Sequence, residues 1–175
     1  MNLKNKIIAT IVAEGVEDLE YYVPLMRLQE EGAKILNAAL DLKPIKGKGG
    51  LEIKPDTTIE SLKAGELFAL ILPGGFAPDK LRRYDAVKNI TKEMNGANKI
   101  IGIICHGGSI AASAGIIEKG QRVTGSTGIK DDLVNGGGIW TDEAAFREGS
   151  QVWGRVVVDI PAFCGELVKA LIESK

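Results

Sequence analysis

The sequence predicts an α/β domain with a mostly parallel sheet covered by helices on both faces, and three observations carry that expectation. Short runs rich in β-branched residues, among them Ile7–Ala13, Leu67–Leu72 and Ile100–Ile104, are apolar on both strand faces, as strands buried from two sides must be. Amphipathic stretches with apolar residues every three or four positions separate them. The chain has 175 residues with no linker, repeat or low-complexity run, a length that suits one domain over residues 1–175 with a sizeable core.

Ile7–Ala13 reads as the first strand. A helix follows from about Glu17 to Glu31, with Leu19, Val23 and Met26 as its apolar face and Gly32 as its stop. Pro24 inside it predicts a kink or a late start. Lys34–Leu40 reads as a second strand, Gly47–Gly50 as a turn, Leu51–Lys54 as a short strand and Thr58–Ala64 as a brief helix. Leu67–Leu72 is a third strand, closed by Pro73-Gly74-Gly75, and Asp79 opens a helix with Val87, Ile90 and Met94 on its apolar face. Ile100–Ile104, the fourth buried strand, runs straight into Cys105-His106-Gly107-Gly108 and a small-residue helix to about Ala114. Val123-Thr124, a short helix over Asp131–Asn135 and strand pieces near Gly138–Trp140 and Gln151–Val157 come next. The final helix keeps Ile160, Phe163, Cys164, Leu167, Val168, Leu171 and Ile172 on one stripe.

Composition excludes several function classes. Lys+Arg number 22 against 23 Asp+Glu, a net charge of −1, which gives no pull toward nucleic acid or an anionic membrane. Two cysteines exclude a disulfide scaffold and a Cys-only zinc site; one histidine excludes multi-histidine metal sites. No metal and no cofactor is expected, since Gly74-Gly75 and Gly107-Gly108 lack G-x-G-x-x-G spacing and Gly136-Gly137-Gly138 reads as a turn. Lys4, Lys6 and the run behind them mimic a signal peptide, but the run is short and lacks a small-residue cleavage site. No stretch nears the ~20 apolar residues of a spanning helix, so the expected location is cytoplasmic.

In such sheets ligands bind at the carboxyl ends of strands, and three ends here carry unusual chemistry. The acids Glu14, Glu17, Asp18 and Glu20 follow the first strand, Gly74-Gly75 the third and Cys105-His106 the fourth. Cys105 stands where a strand turns directly into a helix, as a nucleophile elbow does, although Ile103 occupies the first Gly of G-x-S-x-G. The helix start and a protonated neighbouring His would favour a thiolate there; a buried structural thiol suits the same position. Cys164 belongs to the core stripe. His106 is adjacent to Cys105, and adjacent side chains usually diverge, so proton transfer between them needs an unusual backbone or a third group. The helix dipole accounts for Asp18, whereas Glu20 or Glu17, with a raised pKa in a closed pocket, could donate a hydrogen bond to sulfur.

Together, the stretches 13–20, 72–82, 104–107, 128–132 and 159–163 resemble the ThiJ/PfpI family, in its intracellular-protease-like branch. The resemblance implies a flavodoxin-like three-layer sandwich that forms homo-oligomers, dimers or hexamers. It implies Cys105 as a strained nucleophile, Glu20 as the protonated carboxyl bonded to it, and N–H groups of Gly75 and His106 as an oxyanion hole. Asp79 matches an acid that reaches a neighbouring subunit's histidine, completing a Cys-His-acid triad. Gly74, Gly107 and Glu17 join the substrate-binding side. The activities implied are peptidase, cofactor-independent glyoxalase and deglycase, acting on small carbonyl compounds, glycated adducts or short peptides. Three departures touch the pocket: Gly108 replaces a usual Pro, Ser126 a common Tyr, and Gly154-Arg155-Val156-Val157 a Ser-Arg-x-Pro pattern. A stress or redox sensor with an oxidisable Cys105 is the alternative reading. A glutamine amidotransferase is set aside, because it needs a late His-x-Glu and position 106 holds the one histidine.

Overall fold

Ala69–Leu72 and Ile100–Ile104 are buried along their whole length, and Ile7–Ile11 from its second residue onward. These all-apolar runs leave no polar face for solvent, so each must sit inside a sheet covered twice. The computed structural model describes residues 2–174 and places them there. In chain order the strands are β1 (Ile7–Ile11), β2 (Lys34–Ala39), β3 (Ile45–Lys46), β4 (Glu52–Ile53), β5 (Thr57–Thr58), β6 (Ala69–Leu72), β7 (Ile100–Ile104), β8 (Arg122–Val123), β9 (Ile139–Trp140), β10 (Ala145–Glu148) and β11 (Gln151–Gly154). The helices are α1 (Asp18–Glu30), α2 (Ala77–Leu81), α3 (Asp85–Gly96), α4 (Gly108–Ala114), α5 (Lys130–Asn135) and α6 (Ile160–Glu173). Seven strands form one sheet in the order β10-β11-β7-β6-β1-β2-β5. Its neighbours are parallel except the β10–β11 hairpin. Helices α1 and α6 contact one another and the sheet, while α3 and α4 form a second contacting pair against β7. This is the flavodoxin-like α/β sandwich.

Packing of α6 explains a glycine inside the central strand. A Cβ on Gly102 would lie 3.0 Å from Ile71 Cδ1 and 3.1 Å from both Leu167 Cδ1 and Phe163 Cζ. Three side chains would each have to give by a few tenths of an ångström. Gly102→Ala is therefore expected to destabilise by about 1 kcal/mol, measured as a lowered thermal midpoint.

Five sequence expectations need correction. Leu19, Val23 and Met26 are exposed (49%, 39% and 60%); the buried face of α1 carries Asp18, Glu20, Tyr21, Pro24, Leu25 and Leu28. The helix runs through Pro24 from Asp18, with no late start. The helix expected from Asp79 is two helices, because Tyr84 takes extended dihedrals between α2 and α3. The stretch 58–64 holds no α-helix: Thr57 and Thr58 pair with β2, and the brief helix there is a single 3₁₀ turn over Ile59–Ser61, with another from Ala64. The strand from Gln151 ends at Gly154, and its antiparallel partner β10 went unread. Among the described residues no helix is long and apolar enough to cross a membrane.

Candidate active site

Strands β7, β6 and β1 are neighbours, so the loops at their carboxyl ends meet. The chain fills the sheet in opposite directions from β1, to β2 on one side and β6 on the other, and this switch point is where a crevice opens. Backbone bonds join two of the loops there: Glu17 N–H donates to Gly74 O (3.1 Å) and Phe76 N–H to Gly15 O (2.8 Å), around a Val16–Gly75 bridge. Gly75 adopts φ +80 and has no room for a Cβ, which would lie 2.5 Å from Gly15 O.

The third loop brings Cys105. Its φ of +57 is left-handed, a conformation that strains a residue with a Cβ. This backbone is the unusual one that adjacent side chains need to meet: Cys105 Sγ lies 3.4 Å from His106 Nδ1. Gly74 lets the groups crowd together, since a Cβ on it would sit 2.5 Å from Glu20 Oε2 and 2.9 Å from both Cys105 Cβ and His106 N.

Glu20 is fully buried. Its Oε2 accepts from Gly74 N–H at 2.8 Å. Oε1 is enclosed and has no hydrogen-bond partner among the described residues, and the carboxyl neighbours the Cys105 thiol. Burial pushes the carboxyl up to about 7, despite the opposing bonds from Cys105 and Gly74. Burial, with the adjoining Glu20 charge, pushes the Cys105 thiol up to about 12, while N–H groups of His106 and Gly75 directed at the sulfur pull the other way. Between those values the two groups hold one proton as a coupled pair. Burial, and then the Lys48 cation, holds His106 below its ordinary value. The imidazole is neutral at pH 7, a proton acceptor rather than the standing cation that the sequence reading invoked.

The structure thus gathers Cys105, His106, Glu17, Glu20, Gly74 and Gly75, with Gly107 against the Leu72 carbonyl. The cleft holds about 390 Å³ and is also lined by Phe76, Ser126 and Val156–Val158. Asp79 is not brought to the thiol. It is 73% exposed and paired with Arg83 of its own chain, in an adjoining depression that His106 also borders. Asp18, explained from sequence by the helix dipole, ties down the β3–β4 hairpin: its carboxylate accepts from Gly49 N–H (2.5 Å) and Leu51 N–H (2.9 Å). That hairpin places Lys48 in the cleft, a group sequence reasoning missed; a lysine set among Gly47, Gly49 and Gly50 was its signal. A larger polar trough of about 560 Å³ lies at the other end of β7 and β11, lined in part by the bonded Gln121, Gln151 and Asn95 amides and by no cysteine or histidine among the described residues.

Residues 6–170 match the DJ-1/PfpI family. The chain belongs to this family. A deglycase of Pyrococcus horikoshii is 37% identical over 161 residues, covering 92% of this chain and 96% of that one. General stress protein 18 of Bacillus subtilis is 34% identical over 171 residues, covering 96% and 98%. A solved two-domain protein of Anabaena variabilis, with DJ-1/ThiJ/PfpI-like and ferritin-like domains, superposes with a TM-score of 0.92 at 28% identity. That match covers 95% of this chain and 48% of the other.

The pocket departures from the DJ-1/PfpI pattern have local explanations. A Cβ on Gly108 would lie 2.9 Å from Ile129 Cδ1, 3.2 Å from Leu133 Cδ2 and 3.3 Å from Trp153 Cζ3, so these side chains occupy the space a larger residue would need. Ser126 caps the turn that follows it, and its Oγ accepts from Gly128 N–H at 3.4 Å. Arg155 is clamped by Asp159 (2.9 and 3.2 Å) and Asp142 (2.7 Å), which fixes the strap carrying Val156–Val158.

Proposed function

We propose that this chain is a cofactor-independent, cysteine-dependent hydrolase or deglycase acting on small carbonyl compounds and their adducts. The observation that carries the reading is the left-handed Cys105, whose sulfur faces His106 Nδ1 at 3.4 Å beside the buried Glu20 carboxyl. A structural thiol has no use for that strain. The deglycase named among its relatives supports the same chemistry.

The neutral imidazole takes the thiol proton as sulfur bonds the carbonyl carbon. Backbone N–H groups of Gly75 and His106, which bond toward the sulfur, would hold the oxyanion. Glu20, poised near pH 7, suits the proton relay that follows. With methylglyoxal the thiol adds to the aldehyde, and the aldehyde hydrogen moves to the adjacent carbon through an enediol. One water then hydrolyses the resulting lactoyl thioester to lactate and frees the thiol. In a homo-oligomer, the exposed Asp79 would reach a second copy's His106. The sensor reading finds less support, because it needs an exposed, low-pKa thiol and Cys105 is half-buried and pushed up.

The test is lactate formation from methylglyoxal by wild type and Cys105→Ala. A loss of at least roughly 10²-fold is expected; equal rates would overturn the proposal.

A further inference from the structure

The β3–β4 hairpin is held against the start of α1 far more firmly than a surface turn requires. Beyond the two bonds to the buried Asp18 carboxylate, Lys48 N–H donates to Val16 O (2.8 Å), Gly15 N–H to Lys46 O (2.9 Å) and Tyr22 Oη–H to Glu52 O (2.7 Å). These bonds carry Lys48 to the edge of the cleft at a set position. Its Nζ stands 3.3 Å from Glu17 Oε2 and 5.3 Å from the centre of the Phe76 ring. Among the described residues, Lys48 is the one Lys or Arg that lines the cleft with Cys105. Its side chain is 48% exposed, against 18% for Glu17. An ammonium has three donors; Glu17 takes up one side, and the half-exposed side chain leaves donor capacity for a ligand. Val156–Val158 add apolar lining, so the cation an anion meets in the cleft that Cys105 lines is Lys48, with the carboxyls of Glu17 and Glu20 as its counter-charges.

We propose that Lys48 forms an anion-binding subsite of the Cys105 cleft, selecting carbonyl substrates that carry a carboxylate close to the reacting carbon. The inference deepens the proposed function and rests on Cys105 being the nucleophile. It makes acidic carbonyl compounds, and carbonyl adducts of acidic thiols, better substrates than neutral ones of the same size.

Alkylation of Cys105 tests the subsite without requiring turnover. Iodoacetate and iodoacetamide are nearly the same size and differ in charge. With either, sulfur bonds the methylene carbon, iodide leaves and the thiol proton passes to solvent. The ratio of the two rates at Cys105, followed by mass spectrometry at low salt, cancels differences in thiol ionisation and folding between variants. Lys48→Met is expected to lower the iodoacetate-to-iodoacetamide ratio about fivefold. Lys48→Arg should keep most of it, and 0.5 M NaCl should compress the wild-type advantage as screening demands. Lys80→Met, which removes a cation outside the cleft, should leave the ratio at the wild-type value. Equal ratios in wild type and Lys48→Met, or an equal fall in Lys80→Met, would overturn the subsite. Failure of the enzymatic reading looks different: Cys105→Ala would match wild type in lactate formation while the alkylation ratio still responded to Lys48.

Discussion

Gly107→Ala is expected to lower the free energy of unfolding by about 3 kcal/mol, read as a reduced urea midpoint at unchanged slope. A Cβ on Gly107 would overlap the Leu72 carbonyl oxygen, sit 2.9 Å from Leu72 C and lie 3.3 Å from Pro73 O. All three atoms are backbone at the end of a fully buried strand, so no flexible side chain can move aside. Gly107 has φ −54, which any residue adopts; the cost is therefore contact rather than conformation. Gly165→Ala is the matched control, because it lies inside α6 with nothing within 4 Å of the added carbon. There the helix gains from alanine, by up to ~1 kcal/mol. If both substitutions moved stability the same way, the close approach of Gly107 to β6 would not be what demands glycine. Because that approach also holds Cys105 over Gly74, Gly107→Ala should turn over more slowly even where it remains folded.

Periodicity made the sheet legible. Strands β1, β6 and β7 are apolar on both faces, and that pattern has one architectural solution. The same reasoning chose the wrong face of α1, because hydropathy ranks Leu19, Val23 and Met26 above a face holding two acids. Asp18 and Glu20 are buried by specific backbone donors, Gly49, Leu51 and Gly74, which no periodicity encodes. The alternative stripe of Tyr21, Leu25 and Leu28 has helical spacing too, with Pro24 beside it, and was the readable signal. The site was legible as residue types at strand ends. What the sequence hid was conformation: the Cys105–His106 contact depends on φ +57, which cysteine rarely adopts and which only the surrounding backbone imposes. Lys48 was hidden for a different reason. It enters the cleft from a hairpin outside the main sheet, tethered by long-range bonds that local pattern cannot reveal.

Glu20→Gln separates two roles that the buried carboxyl plays, one in stability and one in proton transfer. Burial raises its native pKa to about 7 from an ordinary value of 4.5, so the native state favours the protonated form. That preference stabilises the fold fully below the unfolded value and is lost as pH rises through the native one. Wild type is thus expected to lose up to roughly 3 kcal/mol relative to Glu20→Gln between about pH 4.5 and 7, with the difference constant above. The Gln carbonyl still accepts from Gly74 N–H, so geometry is kept while the titration is removed. A pH-independent difference would mean that Glu20 is solvated rather than enclosed. For chemistry the two readouts move in opposite directions. The Glu20 charge is one cause of the raised thiol value, so Cys105 should ionise more easily in Glu20→Gln and react with iodoacetamide at lower pH. Turnover should nevertheless fall roughly 10²-fold, since an amide cannot relay the proton. If turnover rose with the thiolate instead, Glu20 would merely suppress the nucleophile, and its carboxyl would have no part in the reaction.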